Sequence, residues 1–357
     1  MMKDAQIYVR DYLETHCKGE ARWFYEDGCV LRGCEELYCA TGEALYRDFI
    51  LDYMARAVDG EGHIRHFPTA QQNLDNINAG KTLLFALDET GDARYRRAAD
   101  FLMDRLATHP RCDCGNYWHK DIYPHQVWLD GLYMAQPFRL AYTLRFGDGR
   151  DAADVLAQFA NARRLLFDPA KGLYFHACDT RRVQPWADPV TGRSPNFWLR
   201  AIGWHLLALV DCAQLLPEEP TLKALFREAA EGVARWRDGE TGLFHQIIDR
   251  PDVPGNYIET SGSAMVIAAR LKGARLGIIP ACGDDLDAFE RLTREKLLPG
   301  EDGKRHLTGI CRSAGLGPGS RRDGSVAYYL SEPIVSDDGK GVGPFMMALA
   351  EYRRAKK

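Results

Sequence analysis

The segment HKDIYPHQVWLDGLYMAQPF, residues 119–138, concentrates side chains that can do chemistry. Its first half carries histidine, lysine, aspartate, tyrosine and tryptophan, whereas its second half has the apolar character of a buried helix. Packing alone does not require so many hydrogen-bonding groups at a helix start. Asp130 stands at that junction, two residues after Trp128. Because an acid among aromatic rings loses hydration, we expect the pKa of Asp130 to be raised, which suits a group that donates a proton near neutral pH and then accepts one.

A simpler role for Asp130 also remains open, since aspartate is a common N-cap that accepts a backbone N–H. Asp75, in QQNLDNINAG, occupies the matching place on an earlier helix and allows the same two interpretations. Two carboxylates at one opening favour a shared acid–base role. The predicted catalytic residues are therefore Asp130 and Asp75.

Cationic and aromatic side chains accompany these acids. Arg200 lies between Trp198 and Trp204 in NFWLRAIGW, a pattern that fits a bidentate grip on a carboxylate beside a stacking surface for a sugar ring. Arg200 could equally extend along apolar surface or pair with an outer acid. His176 fits a buried structural histidine as well as a site residue. The predicted substrate-binding residues are His119, Lys120, Trp128, His176, Trp198, Arg200 and Trp204.

Helices must position these groups, because helical periodicity dominates the chain. Segments such as GDARYRRAADFLMDRLA and LKALFREAAEGVARW are amphipathic, with apolar residues at helical spacing. Others, such as AIGWHLLALVDCAQLL, carry few charges and predict buried helices. Strand alternation is rare, and 326–330 is the best strand candidate.

The two kinds of helix alternate, joined by similar loops such as DPAKGLYFH and DGETGLFH. This repeat of helical hairpins predicts an all-α fold, either an open solenoid or a closed (α/α)6 barrel. Very apolar inner helices favour the barrel, whose loops would bring the candidate residues to one end. Without a linker-like segment, we expect one domain over residues 1–357. The expected inner helices are headed by Asp75, Asp130, Arg200, Glu259 and Gly341, with a sixth hairpin near the N-terminus.

Composition and motifs exclude several function classes. The 357 residues are 46% hydrophobic with a formal charge of −4 and no basic block, which disfavours nucleic acid and anionic membranes as partners. The first 20 residues predict an amphipathic helix rather than a signal peptide, so we expect a cytoplasmic protein whose ten cysteines are reduced thiols. Cys112-x-Cys114 lacks a second pair, and phosphate-loop and dinucleotide fingerprints are missing. We expect no metal and no cofactor.

Six segments, taken in order, resemble the unsaturated rhamnogalacturonyl hydrolases of glycoside hydrolase family 105, from about Trp23 to Tyr352. The segments are NLDNINAGKTLLFALDETGDARY, WHKDIYPHQVWLDGLYMAQPF, GLYFHACD, NFWLRAIGW, YIETSGSAM and GVGPFMMALAEY. The stretch around Asp130 is the most specific. The sibling family of unsaturated glucuronyl hydrolases, family 88, shares this fold and chemistry.

The resemblance implies an (α/α)6 barrel that acts on oligosaccharides ending in a 4,5-unsaturated uronic acid. It implies that Asp130 protonates C4 and then serves as base while water adds at C5, after which the hemiketal opens and expels the next sugar. Asp75 would support sugar hydroxyls or that proton transfer. The remaining site residues would hold the uronate or form aromatic walls.

One position departs from the family pattern, because Ile202-Gly203 stands where Asn-Gly is frequent. An apolar Ile202 removes a possible polar contact and leaves the second sugar open. Sequence leaves three alternatives to the rhamnogalacturonyl hydrolase: a glucuronyl hydrolase of other polysaccharides, a sugar 2-epimerase that uses histidine pairs on the same barrel, and a non-catalytic carbohydrate-binding protein. The oligomeric state is not readable from the sequence.

Overall fold

A computed structural model describes residues 2–16, 19–147, 149–317 and 319–357. Helices account for most of these residues, and each strand has only two or three. The α-helices in chain order are α1 (Met2–Thr15), α2 (Tyr25–Thr41), α3 (Ala44–Ala57), α4 (Lys81–Thr90), α5 (Ala93–Ala107), α6 (Leu129–Phe146), α7 (Arg150–Leu166), α8 (Leu199–Leu215), α9 (Pro220–Ala234), α10 (Thr260–Arg275), α11 (Gly283–Lys296), α12 (Val326–Ser331) and α13 (Gly339–Ala355).

The inner helices form a closed ring. Helices α2, α4, α6, α8, α10 and α13 pack side by side in that order, with the 3-10 segment Leu74–Gly80 extending α4 toward its neighbours, and α13 packs against α2. Helices α3, α5, α7, α9 and α11 lie outside against the inner ones, and α1 meets α13 through Tyr8 and Phe345, whose ring centroids are 6.1 Å apart. The predicted all-α (α/α)6 barrel is confirmed.

The sequence explains which helices lie inside. Helix α8 is buried along nearly its whole length, and between Arg200 and Asp211 it carries no acidic, Lys or Arg side chain. Helix α9 buries only one face, including Leu222, Phe226 and Val233, and leaves its charged residues toward solvent. Burying every side of α8 is favourable because most of its surface is apolar.

Glycines allow α2 and α13 to close the ring. A Cβ at Gly343 would lie 2.3 Å from the backbone oxygen of Cys29, and a Cβ at Gly33 would lie 2.8 Å from the Cβ of Met346. Because real Cβ atoms do not approach backbone so closely, only glycine permits this helix spacing.

Short antiparallel pairs join the ring's loops. Strand β1 (Gln126–Trp128) pairs with β4 (Ala177–Asp179), so that Trp128 faces Ala177. The others are β2 (Phe167–Asp168) with β3 (Leu173–Tyr174), β5 (Leu297–Pro299) with β6 (Arg305–Leu307), and β7 (Ile310–Cys311) with β8 (Ile334–Val335). The strand prediction for 326–330 was wrong, because Ser325 caps this segment as helix α12 by accepting the Tyr328 N–H.

Other expectations concern the thiols and the N-terminus. The predicted amphipathic N-terminal helix is α1. Nine cysteines are free thiols, and Cys17 lies outside the described residues. In the described part of the chain, no helix has the length and apolar character needed to cross a membrane.

Candidate active site

A cavity of about 280 Å³ opens at the end of the barrel where the inner helices begin. Eight of the nine residues predicted for the site line it, although they come from three separate stretches of the chain. Only His176 is not in the lining; it lies directly behind the wall. The lining comprises Tyr25, Glu26, Asp75, His119, Lys120, Tyr123, Trp128, Asp130, Met134, Trp198, Arg200, Trp204, Arg312, Ser313, Ala314, Gly315, Arg322 and Lys340.

Asp130 is the second residue of α6 and is 9% exposed. The N-cap position belongs to Trp128, and no side chain caps this helix, so the capping role considered for Asp130 is wrong. Strand pairing brings His176 beside it, since the Leu129 N–H donates to the His176 carbonyl at 3.2 Å. Nε2 of the fully buried His176 lies 3.2 Å from Oδ2 of Asp130. This is ion-pair distance, although neither atom has a well-aligned hydrogen bond.

The expectation of a raised pKa for Asp130 is wrong. Burial alone would raise it, but the imidazoles of His176 and His119 favour the carboxylate and together lower the pKa of Asp130 below its ordinary value. His176 is oriented by Tyr329, whose hydroxyl lies 2.7 Å from Nδ1. Sequence reasoning counted the aromatic rings around Asp130 but did not place His176 against it, because the two lie 46 positions apart and meet only where β1 pairs with β4, next to both residues.

Asp75 forms a second charged group across the cavity. It lies in the 3-10 segment before α4, whose N-cap is Asn73, so Asp75 is not the cap either. Its Oδ2 lies 2.6 Å from Nζ of Lys120, and its Oδ1 lies 3.6 Å from Nε2 of His119. Burial opposes the charge of Lys120, but the Asp75 carboxylate outweighs it and raises the pKa of the ammonium group.

His119 is an uncharged hydrogen-bonding group in this wall. Burial lowers the pKa of His119 to about 4, in spite of the nearby Asp75 carboxylate, so the ring is neutral near pH 7. Its Nδ1 is buried and has no hydrogen-bond partner among the residues that the structure describes. The ring stacks on Trp128 with centroids 4.8 Å apart, and Tyr123 stacks on Trp128 at 4.9 Å. These rings form one flat aromatic wall, and flat apolar surfaces of this kind suit the face of a sugar ring.

Arg200 lies at the base of the cavity and is 2% exposed. Its guanidinium carbon lies 4.7 Å from the centre of the Trp198 ring, so the predicted Arg–Trp stack is present. One nitrogen, Nη1, donates to the Cys311 carbonyl and to Ser261 Oγ. Glu259 fixes both of these partners by accepting the Ser261 hydroxyl at 2.7 Å and the Cys311 N–H at 2.9 Å. The fork of Arg200 is therefore held rigidly toward the cavity.

The residues that sequence reasoning missed come from two places. Tyr25, Glu26 and Lys340 begin the first and last inner helices, and the Lys340 ammonium pairs with Glu26 at 3.2 Å. Arg312 and Arg322 come from the loop before α12, where no periodicity marks them. Lys340 could have been predicted, because it stands at the start of an inner helix, as Asp130 does. In sum, the cavity joins two carboxylates, aromatic walls and several cations, a set suited to proton transfer on an anionic sugar.

The model of glycosyl hydrolase family 88 matches residues 1–356 of the chain. The chain belongs to this family. It is thus a glycoside hydrolase, and the resemblance stated from sequence is confirmed.

Relatives of this family 88 chain agree in fold. A family 105 glycoside hydrolase from C. acetobutylicum ATCC 824 superposes with a TM-score of 0.92 at 36% identity, covering 99% of each chain. The unsaturated rhamnogalacturonyl hydrolase YesR of Bacillus subtilis is 27% identical over 353 residues, 94% of this chain and 91% of that protein. The unsaturated glucuronyl hydrolase of Bacillus sp. GL1 shares the fold, with a TM-score of 0.72 at 15% identity over 98% of this chain and 96% of that one.

Two further points concern the cavity of this glycoside hydrolase. Ile202 is buried in the core and is not among the cavity-lining residues, so its departure from the family pattern does not change the cavity surface. No group of three or more histidine, cysteine or acidic side chains within the described ranges is arranged to hold a metal ion.

Proposed function

We propose that this glycoside hydrolase hydrates the C4=C5 double bond of a 4,5-unsaturated uronic acid at the non-reducing end of an oligosaccharide, and so releases that sugar. The preferred substrate is an unsaturated rhamnogalacturonan fragment. The observation that carries the proposal is that the side chains of Asp130 and Arg200 meet in one cavity with aromatic walls. The names of the family 105 and rhamnogalacturonyl hydrolase relatives support the substrate class.

Recognition of the uronate rests on Arg200 and the aromatic walls. The ring carboxylate is planar and matches a guanidinium fork, which Glu259 holds in place through Ser261 and Cys311. Trp128, Trp198 and Trp204 bound the ring faces. His119 and Lys120 donate to hydroxyls or to the carboxylate, and Asp75 orients both donors or accepts a sugar hydroxyl.

Asp130 carries the proton. It delivers a proton to C4, which leaves positive charge shared by C5 and the ring oxygen, and the new carboxylate stabilises that charge. Water then forms a bond to C5 and returns a proton to Asp130. The resulting hemiketal opens to a ketone at C5, and the hemiacetal thus formed at C1 collapses to an aldehyde and expels the next sugar as an alcohol.

The lowered pKa of Asp130 sets a condition on this sequence. The free enzyme holds Asp130 as a carboxylate beside His176. A uronate entering the cavity adds negative charge and removes water, and both effects favour protonation of Asp130. We therefore propose that substrate binding takes up the proton that the reaction uses.

The alternatives fit the cavity less well. A 2-epimerase needs two histidines facing the sugar, whereas His119 is the single histidine lining the cavity in the described part of the chain and His176 lies behind Asp130. A glucuronyl hydrolase differs only in its sugars and is the second candidate. We further propose that residues 1–357 form one catalytic domain acting in the cytoplasm without a cofactor.

The test is direct. Unsaturated disaccharides that differ in the second sugar are incubated with the protein, and the ultraviolet absorbance of the double bond is followed. Hydration abolishes this absorbance, whereas epimerisation or simple binding leaves it unchanged. Fastest loss with rhamnose as second sugar supports the proposal; stable absorbance with every uronate disaccharide rejects it.

A further inference from the structure

The cations of the cavity are not all used in the same way. Lys120 pairs with Asp75 at 2.6 Å, and Lys340 pairs with Asp338 at 2.8 Å. Arg312 and Arg322, which also line the cavity, have no ion-pair partner among the described residues. Nearby acids are engaged elsewhere, since Asp323 accepts the Ser325 N–H at 2.8 Å and Glu332 accepts from Tyr328.

The loop that carries the two arginines is fixed in place. The Gly315 N–H donates to the Tyr328 hydroxyl at 3.0 Å, and the Gly317 N–H donates to the Arg322 carbonyl at 3.0 Å. The Arg312 N–H donates to the Pro333 carbonyl at 2.8 Å, close to the β7–β8 pair. Both guanidinium groups are thus presented from an ordered backbone, which lowers the entropic cost of binding a ligand.

Three arginines line the cavity at successive depths between its base and its rim. Arg200 is buried at the base, Arg322 is half-buried and Arg312 is exposed. A Cβ at Gly315 would lie 3.2 Å from Nη1 of Arg322 and 3.5 Å from Cη2 of Trp128, so the Arg322 head lies beside the aromatic wall. A substrate whose terminal carboxylate reaches Arg200 would extend past this wall and leave the cavity between Arg322 and Arg312.

We infer that Arg312 and Arg322 form a second carboxylate-binding subsite, which takes the next acidic sugar of a longer oligosaccharide. This rests on the proposed function. In a chain that alternates uronate and neutral sugar, the second carboxylate belongs to the third sugar from the end. Two guanidinium groups that have no ion-pair partner within the described ranges favour such a planar anion over a neutral ring. The preferred substrate is accordingly longer than a disaccharide.

The test compares two rhamnogalacturonan lyase products, the unsaturated disaccharide and the unsaturated tetrasaccharide, on wild-type protein and on Arg312→Gln and Arg322→Gln. We expect kcat/KM for the tetrasaccharide to exceed that for the disaccharide about tenfold, and each variant to remove most of this preference while leaving disaccharide turnover within about twofold. Arg321→Gln is the matched control, because Arg321 is exposed on the same loop and does not line the cavity. It should keep the preference.

Equal kcat/KM for both substrates in wild type, or an equal loss on both in the arginine variants, would overturn the subsite. Calorimetric binding of both oligosaccharides to Asp130→Asn protein separates this from the proposed function. Tighter binding of the tetrasaccharide that depends on Arg312 and Arg322 supports the subsite even if neither sugar is hydrated. Absent hydration by wild type would reject the proposed function alone, and equal binding would reject the subsite alone.

Discussion

Nε2 of His176 lies 3.2 Å from Oδ2 of Asp130, so that a fully buried histidine backs a carboxylate of the cavity wall. The imidazole is fixed from its other side by the Tyr329 hydroxyl at 2.7 Å. This pair makes the carboxylate the resting form of Asp130. A reaction in which Asp130 is the proton donor therefore requires that Asp130 becomes protonated when the substrate binds.

Removing the proton carrier should abolish turnover and preserve the fold. Asp130→Asn keeps the size of the side chain, and the start of α6 does not depend on a side-chain cap, so we expect an unchanged circular dichroism spectrum and thermal midpoint. Loss of acid–base function should lower kcat by about 10²-fold or more. Steady-state rates from the decay of the double-bond absorbance check this. Near-normal turnover would remove Asp130 from the mechanism.

The rate should depend on pH with a definite sign. Because the pKa of Asp130 is lowered in the free enzyme, its protonated fraction falls tenfold for each pH unit above that pKa. We expect kcat/KM to decrease as pH rises through neutrality. Proton uptake can be measured by calorimetry of disaccharide binding in buffers of different ionisation enthalpy. The wild-type protein is measured at low temperature, where turnover is slow, and is compared with Asp130→Asn. We expect proton uptake only in the wild-type protein. A rate that rises with pH would contradict the proposal.

Arg200 should act mainly on substrate affinity. Arg200→Lys keeps a positive charge but loses the planar fork that Cys311 and Ser261 hold. We expect KM for the unsaturated disaccharide to rise about tenfold or more with a smaller change in kcat. Initial rates over a range of substrate concentrations separate the two constants. Unchanged affinity would argue against the carboxylate grip.

Adding one methyl group at Gly343, where α13 contacts α2, should destabilise the barrel. In Gly343→Ala, the new Cβ would meet the Cys29 carbonyl at 2.3 Å, and backbone on both helices would have to move. We expect a loss of about 2 kcal/mol or more in the free energy of unfolding, measured by urea titration. Gly283→Ala serves as control, because nothing lies within 4 Å of that position in α11, and should be nearly neutral.

A buried histidine that does not line the cavity should limit acid stability. Burial lowers the pKa of His205 to about 3, and neither ring nitrogen has a hydrogen-bond partner in the part of the chain that the structure describes. The unfolded chain protonates this ring below its ordinary pKa of 6.5 whereas the folded chain does not, so stability is full above that pH and falls as pH drops toward the folded value. The cost is about 2 kcal/mol near pH 5.

His205→Phe removes that cost and keeps the tilted ring contact with Tyr174, whose ring centroid lies 4.5 Å away. The thermal midpoint of this variant should therefore decline less between neutral pH and pH 5 than that of wild type, by roughly the shift that about 2 kcal/mol produces. Parallel pH profiles for the two proteins would show that His205 does not contribute.

The architecture and most of the cavity residues could be predicted from the sequence, because both depend on local patterns. Apolar runs such as that of α8 identify inner helices, and the start of each inner helix identifies the cavity end, which located Asp75, Asp130 and Arg200. The prediction of a raised pKa for Asp130 was wrong because that pKa depends on His176, which is brought to Asp130 by the pairing of β1 with β4. Arg312 and Arg322 were not predicted because loop residues follow no hydrophobic periodicity.

The contact between Gly343 and Cys29 has a consequence for how the chain acquires activity. The cavity wall needs Tyr25 from the beginning of the ring and Lys340 from its end, and these two stretches are synthesised more than three hundred positions apart. During translation the acid, its histidine and the arginine at the base are all made before the last helix docks. Until that docking, the ring is a C-shaped stack with an open seam, so ribosome-bound chains should be unable to sequester a sugar.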